Sequence, residues 1–156
     1  MKPNLGLSSK ARETVLAVLG RLLADEHVLY VKTRNFHWNV TGLDFGSLHA
    51  LFEKQYDELS ETIDEIAERI RALGGVAPGS MKEFLKLARL EEQPGDTLAA
   101  EKMIAALLSD YETVIRALRA DIEVTGEAGD AGTDDFLTGI LEAHEKTAWM
   151  LRAHLG

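Results

Sequence analysis

The chain has 156 residues, no cysteine and a formal net charge of −9, with 17 Lys and Arg against 26 Asp and Glu. The missing thiols exclude disulfides and thiolate metal sites, and the negative charge disfavours nonspecific binding to phosphate backbones or anionic lipid. No stretch approaches the roughly 20 apolar residues of a membrane span, and the opening MKPNLGLSSKAR lacks the apolar core of a secretory signal. We therefore expect one soluble cytoplasmic domain over 1–156, in which 1–8 form a short flexible tail.

Helical apolar spacing fills the long intervals between the three prolines, which predicts a nearly all-α protein. Four long helices are expected, bounded by capping residues and glycine-containing breaks: from Ser8 or Ser9 to 41–42, from Asp44 or Ser47 to 74–75, from Asp96 to about Thr125, and from the end of the segment GEAGDAGTDD (126–135) to about Leu155. Between the second and third, SMKEFLKLA begins with Ser80 and Glu83 at capping-box spacing and predicts a short helix. These elements make a four-helix bundle with a short helix in the second connection.

The second predicted helix carries an apolar stripe about 80° wide, which is expected to face the core. Its residues are Leu48, Phe52, Leu59, Ile63, Ile66, Ile70 and Leu73. Two pairs of metal-ligand type lie at i,i+4 spacing on an arc of about 100° beside this stripe, His49 with Glu53 and Asp64 with Glu68. His37 stands twelve positions before His49, across a glycine-containing turn. The side chains of both i,i+4 pairs are therefore expected to point away from the core, where they could chelate a cation.

An ordinary solvated face is the alternative for these pairs, because the same helix carries further acidic residues. They are Asp57, Glu58, Glu61 and Glu65. The remaining histidines are expected at helix surfaces or bundle edges: His27, His144 and His154. Neutral imidazoles with carboxylates suit Fe, Mn or Zn, and a partly open, oxygen-rich site favours redox iron over structural zinc.

The separation of the two pairs along the helix axis prevents one chain from using both pairs to bind a single cation. Glu53 and Asp64 are eleven residues apart, about 16 Å along a helix, whereas the ligands of one cation lie within a few ångströms of each other. Two antiparallel copies of the helix about a two-fold axis would bring His49–Glu53 of one copy to Asp64–Glu68 of the other, and His37 would join from the preceding turn. No histidine has Glu three residues before it, which argues against the Glu-x-x-His sites found inside single bundles.

The stretch KTRNFHWNVTGLDFGSLHALFEKQYDELSETIDEIAERIRALGG, residues 32–75, resembles the Dps family, the miniature ferritins called DNA-binding proteins from starved cells. The later stretches MKEFL, GTDDFLTGI and TAWMLRAHLG fit the family in order, so the resemblance covers essentially the full chain. It implies a ferritin-like four-helix bundle and a hollow dodecamer. It also implies oxidation of Fe(II), preferably by hydrogen peroxide rather than oxygen, and storage of the ferric mineral, which protects against oxidative damage.

Carried over position by position, the family's dinuclear iron site, its ferroxidase site, falls on residues of two subunits: His37, His49, Glu53, Asp64 and Glu68. Many members have Asp where this chain has Glu53, and the longer side chain is expected to bind the second, weaker iron position differently. Trp38 resembles the family tryptophan beside the site, where an oxidisable indole would trap stray radical equivalents. Simple packing is the alternative for Trp38.

The same resemblance places the segment 126–135 around a three-fold pore through which iron enters. Asp130 and Asp135 are the preferred pore residues, and Asp134 and Glu127 add negative charge. A solvated acidic loop is the alternative.

Two functions of other kinds stay open. The first is a nucleoid-associated, DNA-compacting protein with little ferroxidase role, which in this family generally needs a tail rich in Lys and Arg. Only Lys2, Lys10 and Arg12 precede the bundle here, so direct DNA binding is expected to be weak or absent. The second is a metal-free helical assembly whose acidic face serves only solubility.

Overall fold

The structure, a computed structural model, describes residues 3–95 and 97–156 and contains five helices in that part of the chain. They are α1 (Ser9–Asn39), α2 (Phe45–Ala72), α3 (Met81–Leu87), α4 (Ala100–Glu127) and α5 (Ala131–Ala153). α1 packs along α2 and α4 along α5, while α1 also contacts α4 and α3. The predicted all-α bundle with a short helix in the second connection is confirmed. None of the described helices is both long and apolar enough to cross a membrane.

Local capping chemistry sets several of the helix ends. Ser8 accepts a hydrogen bond from the Ala11 amide at 3.1 Å and starts α1. Ser80 and Glu83 form the predicted capping box: the Glu83 amide donates to Ser80 Oγ, and the Glu83 carboxylate accepts from the Ser80 hydroxyl at 2.6 Å. Gly74, with a φ of +79°, ends α2 in the left-handed conformation that glycine adopts without strain.

The predicted apolar stripe of α2 faces the core. Six of its seven members are buried and Ile63 is half-buried. Opposite this stripe, α1 contributes Leu19, Leu22 and Leu29, which are fully buried at the centre of the bundle. Burial of this apolar area is the main contribution to the stability of the bundle.

The connection after α3 is held to the bundle by a buried ion network. Arg89 donates from Nε to Asp25 at 2.7 Å and from Nη1 to Asp121 at 2.9 Å, so that α1 and α4 share one guanidinium. Burial raises the pKa of Asp25 even though Arg89 opposes the shift. Phe84 is buried under α3, with its ring stacked at 3.7 Å on His27.

Two predicted boundaries differ from the structure. The proposed helix start at Asp96 lies outside the described residues, and α4 begins at Ala100. The predicted N-cap position of Asp44 in α2 is confirmed, although its side chain makes no capping hydrogen bond. Lys10 and Arg12, predicted to belong to a tail, lie inside α1, and Lys2 lies outside the described residues.

The prediction of an acidic loop over 126–135 is wrong in length. Only 128–130 separate α4 from α5, because Asp130 caps α5 by accepting a hydrogen bond from the Thr133 amide at 3.1 Å. Asp134 and Asp135 therefore belong to the first turns of α5, and Glu127 is the last residue of α4.

Candidate metal centre

The turn between α1 and α2 brings His37 and His49 face to face. Gly42, with a φ of +109°, allows the chain to reverse there. His37 donates from Nδ1 to the carbonyl oxygen of His49 at 2.8 Å, and His49 donates from Nδ1 to the carbonyl oxygen of His37 at 2.9 Å. Their rings stack with centroids 3.7 Å apart. The two imidazoles thus fix each other.

These reciprocal bonds determine the tautomer of both rings. A carbonyl oxygen can only accept, so each Nδ1 carries a hydrogen. In a neutral imidazole the Nε2 atom then keeps its lone pair, and neither Nε2 has a hydrogen-bond partner among the described residues. A backbone carbonyl that orients a histidine in this way is the usual support of a metal ligand. His37 and His49 are therefore prepared to bind a cation through Nε2.

Aromatic neighbours hold the pair in place. The Tyr56 ring meets His37 edge-on at 5.2 Å, and Phe45 lies 5.0 Å from His49. The Tyr56 hydroxyl donates to Glu53 Oε1 at 3.4 Å. Tyr56 therefore contacts both His37 and Glu53, two of the predicted ligands. Burial, followed by the negative charges of Glu53 and Asp57, raises the pKa of the Tyr56 phenol.

Asp64 and Glu68, the other two predicted ligands, are exposed and lie farther along α2. In the described part of one chain, no group of three or more His, Asp or Glu side chains comes together in a metal-binding arrangement. The chain therefore brings His37 and His49 together, with Glu53 nearby, but not with Asp64 and Glu68. Completion of the site by a second copy stays a prediction.

Trp38 is 63% exposed in the single chain and so lies outside that chain's core, and both the radical-trapping and the packing interpretation stay predictions. Arg34 lies beside Trp38, with the guanidinium carbon 5.2 Å from the centre of the indole. The same carbon is 4.6 Å from the centre of the Tyr56 ring and 5.6 Å from that of the Tyr30 ring. Arg34 also donates to the Tyr30 hydroxyl at 2.8 Å. The sequence interpretation missed this cluster, although Tyr30, Arg34 and Trp38 follow one another at i,i+4 spacing.

The predicted pore acids fall into two groups. Asp130 is buried, and its carboxylate accepts from Thr133 and from Arg69, the latter at 3.0 Å. It is a helix cap with an ion-pair partner rather than a free carboxylate. Asp135 and Glu127 are exposed, and Asp134 is half-buried. Their assignment to a pore stays a prediction.

A second histidine site lies inside the bundle. His144 was predicted at a helix surface or bundle edge, but it is 5% exposed, because it pairs through Nε2 with Glu26 Oε1 at 2.7 Å. Tyr111 meets its ring edge-on at 5.1 Å. Since Glu26 lies on α1 and His144 on α5, no local spacing could have revealed the pair.

Comparison with known proteins identifies the family to which this fold belongs. Residues 16–156 match the ferritin-like domain family. A protein of Nostoc sp. (strain PCC 7120 / SAG 25.82 / UTEX 2576), named an uncharacterized low temperature-induced protein, is 49% identical over 97% of this chain and 86% of its own. DNA protection during starvation protein 2 of Bacillus anthracis is 44% identical over 90% of this chain and 96% of its own.

A solved structure gives the same assignment. The crystal structure of the DPS protein from Vibrio cholerae O1 superposes with a TM-score of 0.93 at 34% identity, covering 100% of this chain and 98% of that chain. The class is therefore the ferritin-like bundle. Within that class, the chain belongs to the Dps family, and the resemblance noted in the sequence is confirmed.

Proposed function

We propose that this protein is a ferroxidase that oxidises Fe(II), preferably with hydrogen peroxide, and stores the ferric product. The observation that carries the proposal is the reciprocal Nδ1-to-carbonyl bonding of His37 and His49, which leaves two oriented Nε2 lone pairs. Glu53 is linked to this pair through Tyr56, which donates to its carboxylate and contacts the His37 ring. Two imidazoles with carboxylate oxygens fit ferrous iron. The Vibrio cholerae O1 relative is described as a member of a broad superfamily of ferritin-like diiron-carboxylate proteins, which supports iron as the substrate.

The complete site is proposed to span two subunits. Antiparallel packing of α2 against its copy, about a two-fold axis within roughly one helical turn of Leu59, brings Asp64 and Glu68 of the partner subunit to the His37–His49 pair. Each dimer then holds two equivalent sites. The exposure of Asp64 and Glu68 in the single chain is consistent with this use.

The residues have separate parts in the reaction. His37 and His49 hold ferrous ions through Nε2, and the carboxylates neutralise the added positive charge as Fe(III) forms. Hydrogen peroxide accepts two electrons and two protons to become two waters, so two ferrous ions together reduce it without releasing a hydroxyl radical. Removing iron and peroxide in one step is the protective function that we assign to the protein.

Storage requires an enclosed space and a route into it. We propose a hollow homododecamer, as the resemblance to the Dps family implies, in which iron enters beside the junction of α4 and α5. The negative charge there comes from Glu127, Asp134 and Asp135. Asp130 instead caps α5 and pairs with Arg69. A net charge of −9 also favours the accumulation of cations near the assembly.

Direct binding of DNA is the second candidate, because the Bacillus anthracis relative is named a DNA protection protein. We propose that this chain binds DNA weakly or not at all, since its net charge is −9 and Lys10 and Arg12 lie on α1. A gel shift with untagged protein at physiological salt should show no stable complex. A tight complex that survives raised salt would contradict this proposal.

The experiment for the ferroxidase proposal adds Fe(II) anaerobically, then hydrogen peroxide, and follows ferric absorbance against buffer at equal pH. Asp64→Asn with Glu68→Gln should slow oxidation by at least about 10- to 100-fold, the loss that follows when only the supporting partners of metal ligands are removed. Asp57→Asn with Glu65→Gln is the matched control, because it removes the same charge from exposed positions of α2. Wild-type rates no faster than buffer would remove the enzymatic function.

A further inference from the structure

His144 stands between the interior of the bundle and a groove on its surface. Its Nε2 atom is 2.7 Å from Oε1 of Glu26, which is fully buried on α1. The other side of His144 borders a groove of about 330 Å³ between α2 and α5, although the residue as a whole is only 5% exposed. The imidazole therefore separates the buried carboxylate from the groove.

The contact with Glu26 determines which ring nitrogen of His144 is free. An ionised carboxylate can only accept, so Nε2 carries the hydrogen, and in a neutral imidazole Nδ1 keeps its lone pair. Nδ1 has no hydrogen-bond partner among the described residues, nor is it one of the unpartnered polar atoms that the protein encloses completely. It therefore has access to the groove. A carboxylate behind a histidine is the usual support of a metal ligand.

The second oxygen of Glu26 gives an independent reason to expect positive charge at this position. Glu26 Oε2 is buried and has no hydrogen-bond partner within 3–95 and 97–156. A buried carboxylate with one hydrogen bond is costly unless a positive charge lies close to it. Over the same residues, the ion-pair partner of Glu26 is His144 and not a lysine or arginine. A cation bound at Nδ1 of His144 supplies the missing charge.

Two carboxylates of α2 border the same groove. Glu58 and Glu61 are exposed and three residues apart, so they are neighbours on the helix surface. Lys54 lies 3.6 Å from Glu58, but both side chains are more than half exposed, and such a pair contributes little. One imidazole nitrogen with carboxylate oxygens suits a divalent transition-metal ion such as Zn²⁺.

We propose that His144, Glu58 and Glu61 bind one divalent transition-metal ion in the α2–α5 groove, with Glu26 orienting His144 from behind. In the single chain as described, these side chains do not converge, so Glu58 and Glu61 must rotate towards Nδ1. Glu26 and His37 are eleven residues apart on α1, about 16 Å along its axis, so this site is separate from the proposed iron site.

The bound ion joins the two halves of the bundle. α2 packs mainly on α1, and α5 packs mainly on α4. A metal ion shared by α2 and α5 therefore links one helix pair to the other. Because the ion binds only the folded arrangement, Zn²⁺ should also raise the temperature of thermal unfolding.

The test is zinc binding by protein that carries His37→Ala and His49→Ala, which removes the histidine pair of the iron site. Calorimetric titration with Zn²⁺ should show one site per chain, and zinc X-ray absorption should show a single imidazole nitrogen on the ion. Adding His144→Gln should weaken binding by at least about tenfold. His154→Gln is the matched control, because it removes an exposed imidazole just after α5 and should leave binding unchanged.

Glu26→Gln tests the orienting role, because the amide oxygen still accepts from Nε2 but carries no charge. In the same background it should weaken zinc binding by about 10-fold or more. Circular dichroism and native mass spectrometry establish that this variant keeps its fold and assembly. Unchanged zinc affinity in a folded Glu26→Gln variant would contradict the role of Glu26.

Surface variants decide the question if substitutions at His144 or Glu26 prevent folding. Glu58→Gln with Glu61→Gln changes only exposed positions and should weaken zinc binding by about tenfold or more, while Glu101→Gln with Glu142→Gln removes the same charge and should not. Zinc that does not bind, that binds without an imidazole, or that binds equally to both charge variants would overturn the site. Iron oxidation by wild type is measured separately, so this outcome leaves the ferroxidase proposal standing.

Discussion

Arg69 and Asp130 form an ion pair, Nη2 to Oδ1 at 3.0 Å, that joins the last turn of α2 to the residue capping α5. The Arg69 Nε–H also donates to Thr133 Oγ1, whose hydroxyl donates to the second oxygen of Asp130. The Asp130 side chain is only 6% exposed, so little water screens the pair. The Arg69–Asp130 pair is therefore expected to affect the stability of the fold more than the uptake of iron.

Asp130→Ala should destabilise the protein by about 2–3 kcal/mol, because it removes a helix cap and leaves Arg69 without its buried partner. Urea unfolding followed by circular dichroism, at one fixed protein concentration, measures the change. Asp135→Ala is the control, since Asp135 is exposed one turn later on α5. Equal stability of the two variants would show that the Arg69–Asp130 pair contributes nothing.

Iron uptake should depend on two acids near the α4–α5 junction, the half-buried Asp134 and the exposed Asp135. Asp134→Asn with Asp135→Asn should slow uptake at low salt and leave assembly intact, because the local attraction for cations is weakened. Glu101→Gln with Glu142→Gln changes the net charge equally at exposed positions elsewhere and should have a smaller effect. Identical uptake kinetics in both variants would place the entry route elsewhere.

The α3 capping box should give this helix a defined pH dependence. Hydrogen bonds from Ser80 and then from the Gly79 amide lower the pKa of Glu83 from 4.5. A lowered folded-state pKa means that the stabilisation is present above about pH 4.5 and is lost as pH falls through the folded value. Hydrogen-exchange protection factors of α3 amides should fall in that window.

Glu83→Gln is the control for this prediction, because its amide oxygen still accepts hydrogen bonds but does not titrate. Its α3 protection should change less over the same pH range. The explanation fails if wild type and Glu83→Gln lose protection in parallel.

Helix ends made by local chemistry could be predicted from the sequence. The Ser8 cap, the Ser80–Glu83 box and the Gly74 stop each depend on residues within a few positions. The start of α5 also depends on a local bond, because Asp130 accepts from the Thr133 amide three residues later, but the glycines around Asp130 outweighed that signal. The added bond from Arg69, 61 residues away, has no local signal. Gly-rich spacing around Asp130 therefore suggested a longer loop than the chain forms.

In the candidate site, too, some features follow from local sequence and others from the packing of distant segments. Spacing alone indicated that His37 and His49 meet across a turn, but their exchanged Nδ1 bonds depend on how α1 packs on α2. The Tyr56 contacts depend on the same packing. The interior partner of His144 is 118 residues away, so its burial had no local signal.

We propose that each iron site is built from two chains. His37→Ala with His49→Ala makes one variant, and Asp64→Ala with Glu68→Ala makes the other; each should assemble but oxidise iron poorly. In a mixed dimer one site loses all four groups, and the other keeps all four. A random equal mixture should therefore recover about a quarter of the wild-type rate, since half of the dimers are mixed and half of their sites are intact.

Complementation between these two variants is the most direct measurement of the claim. The two chains carry different tags, are refolded together, and are purified through both tags, with native mass spectrometry to establish that mixed assemblies form. We expect peroxide-driven ferric absorbance to return in the mixed assemblies, although neither variant gives it alone. Mixed assemblies that form and yet oxidise iron no faster than the separate variants would contradict the shared site.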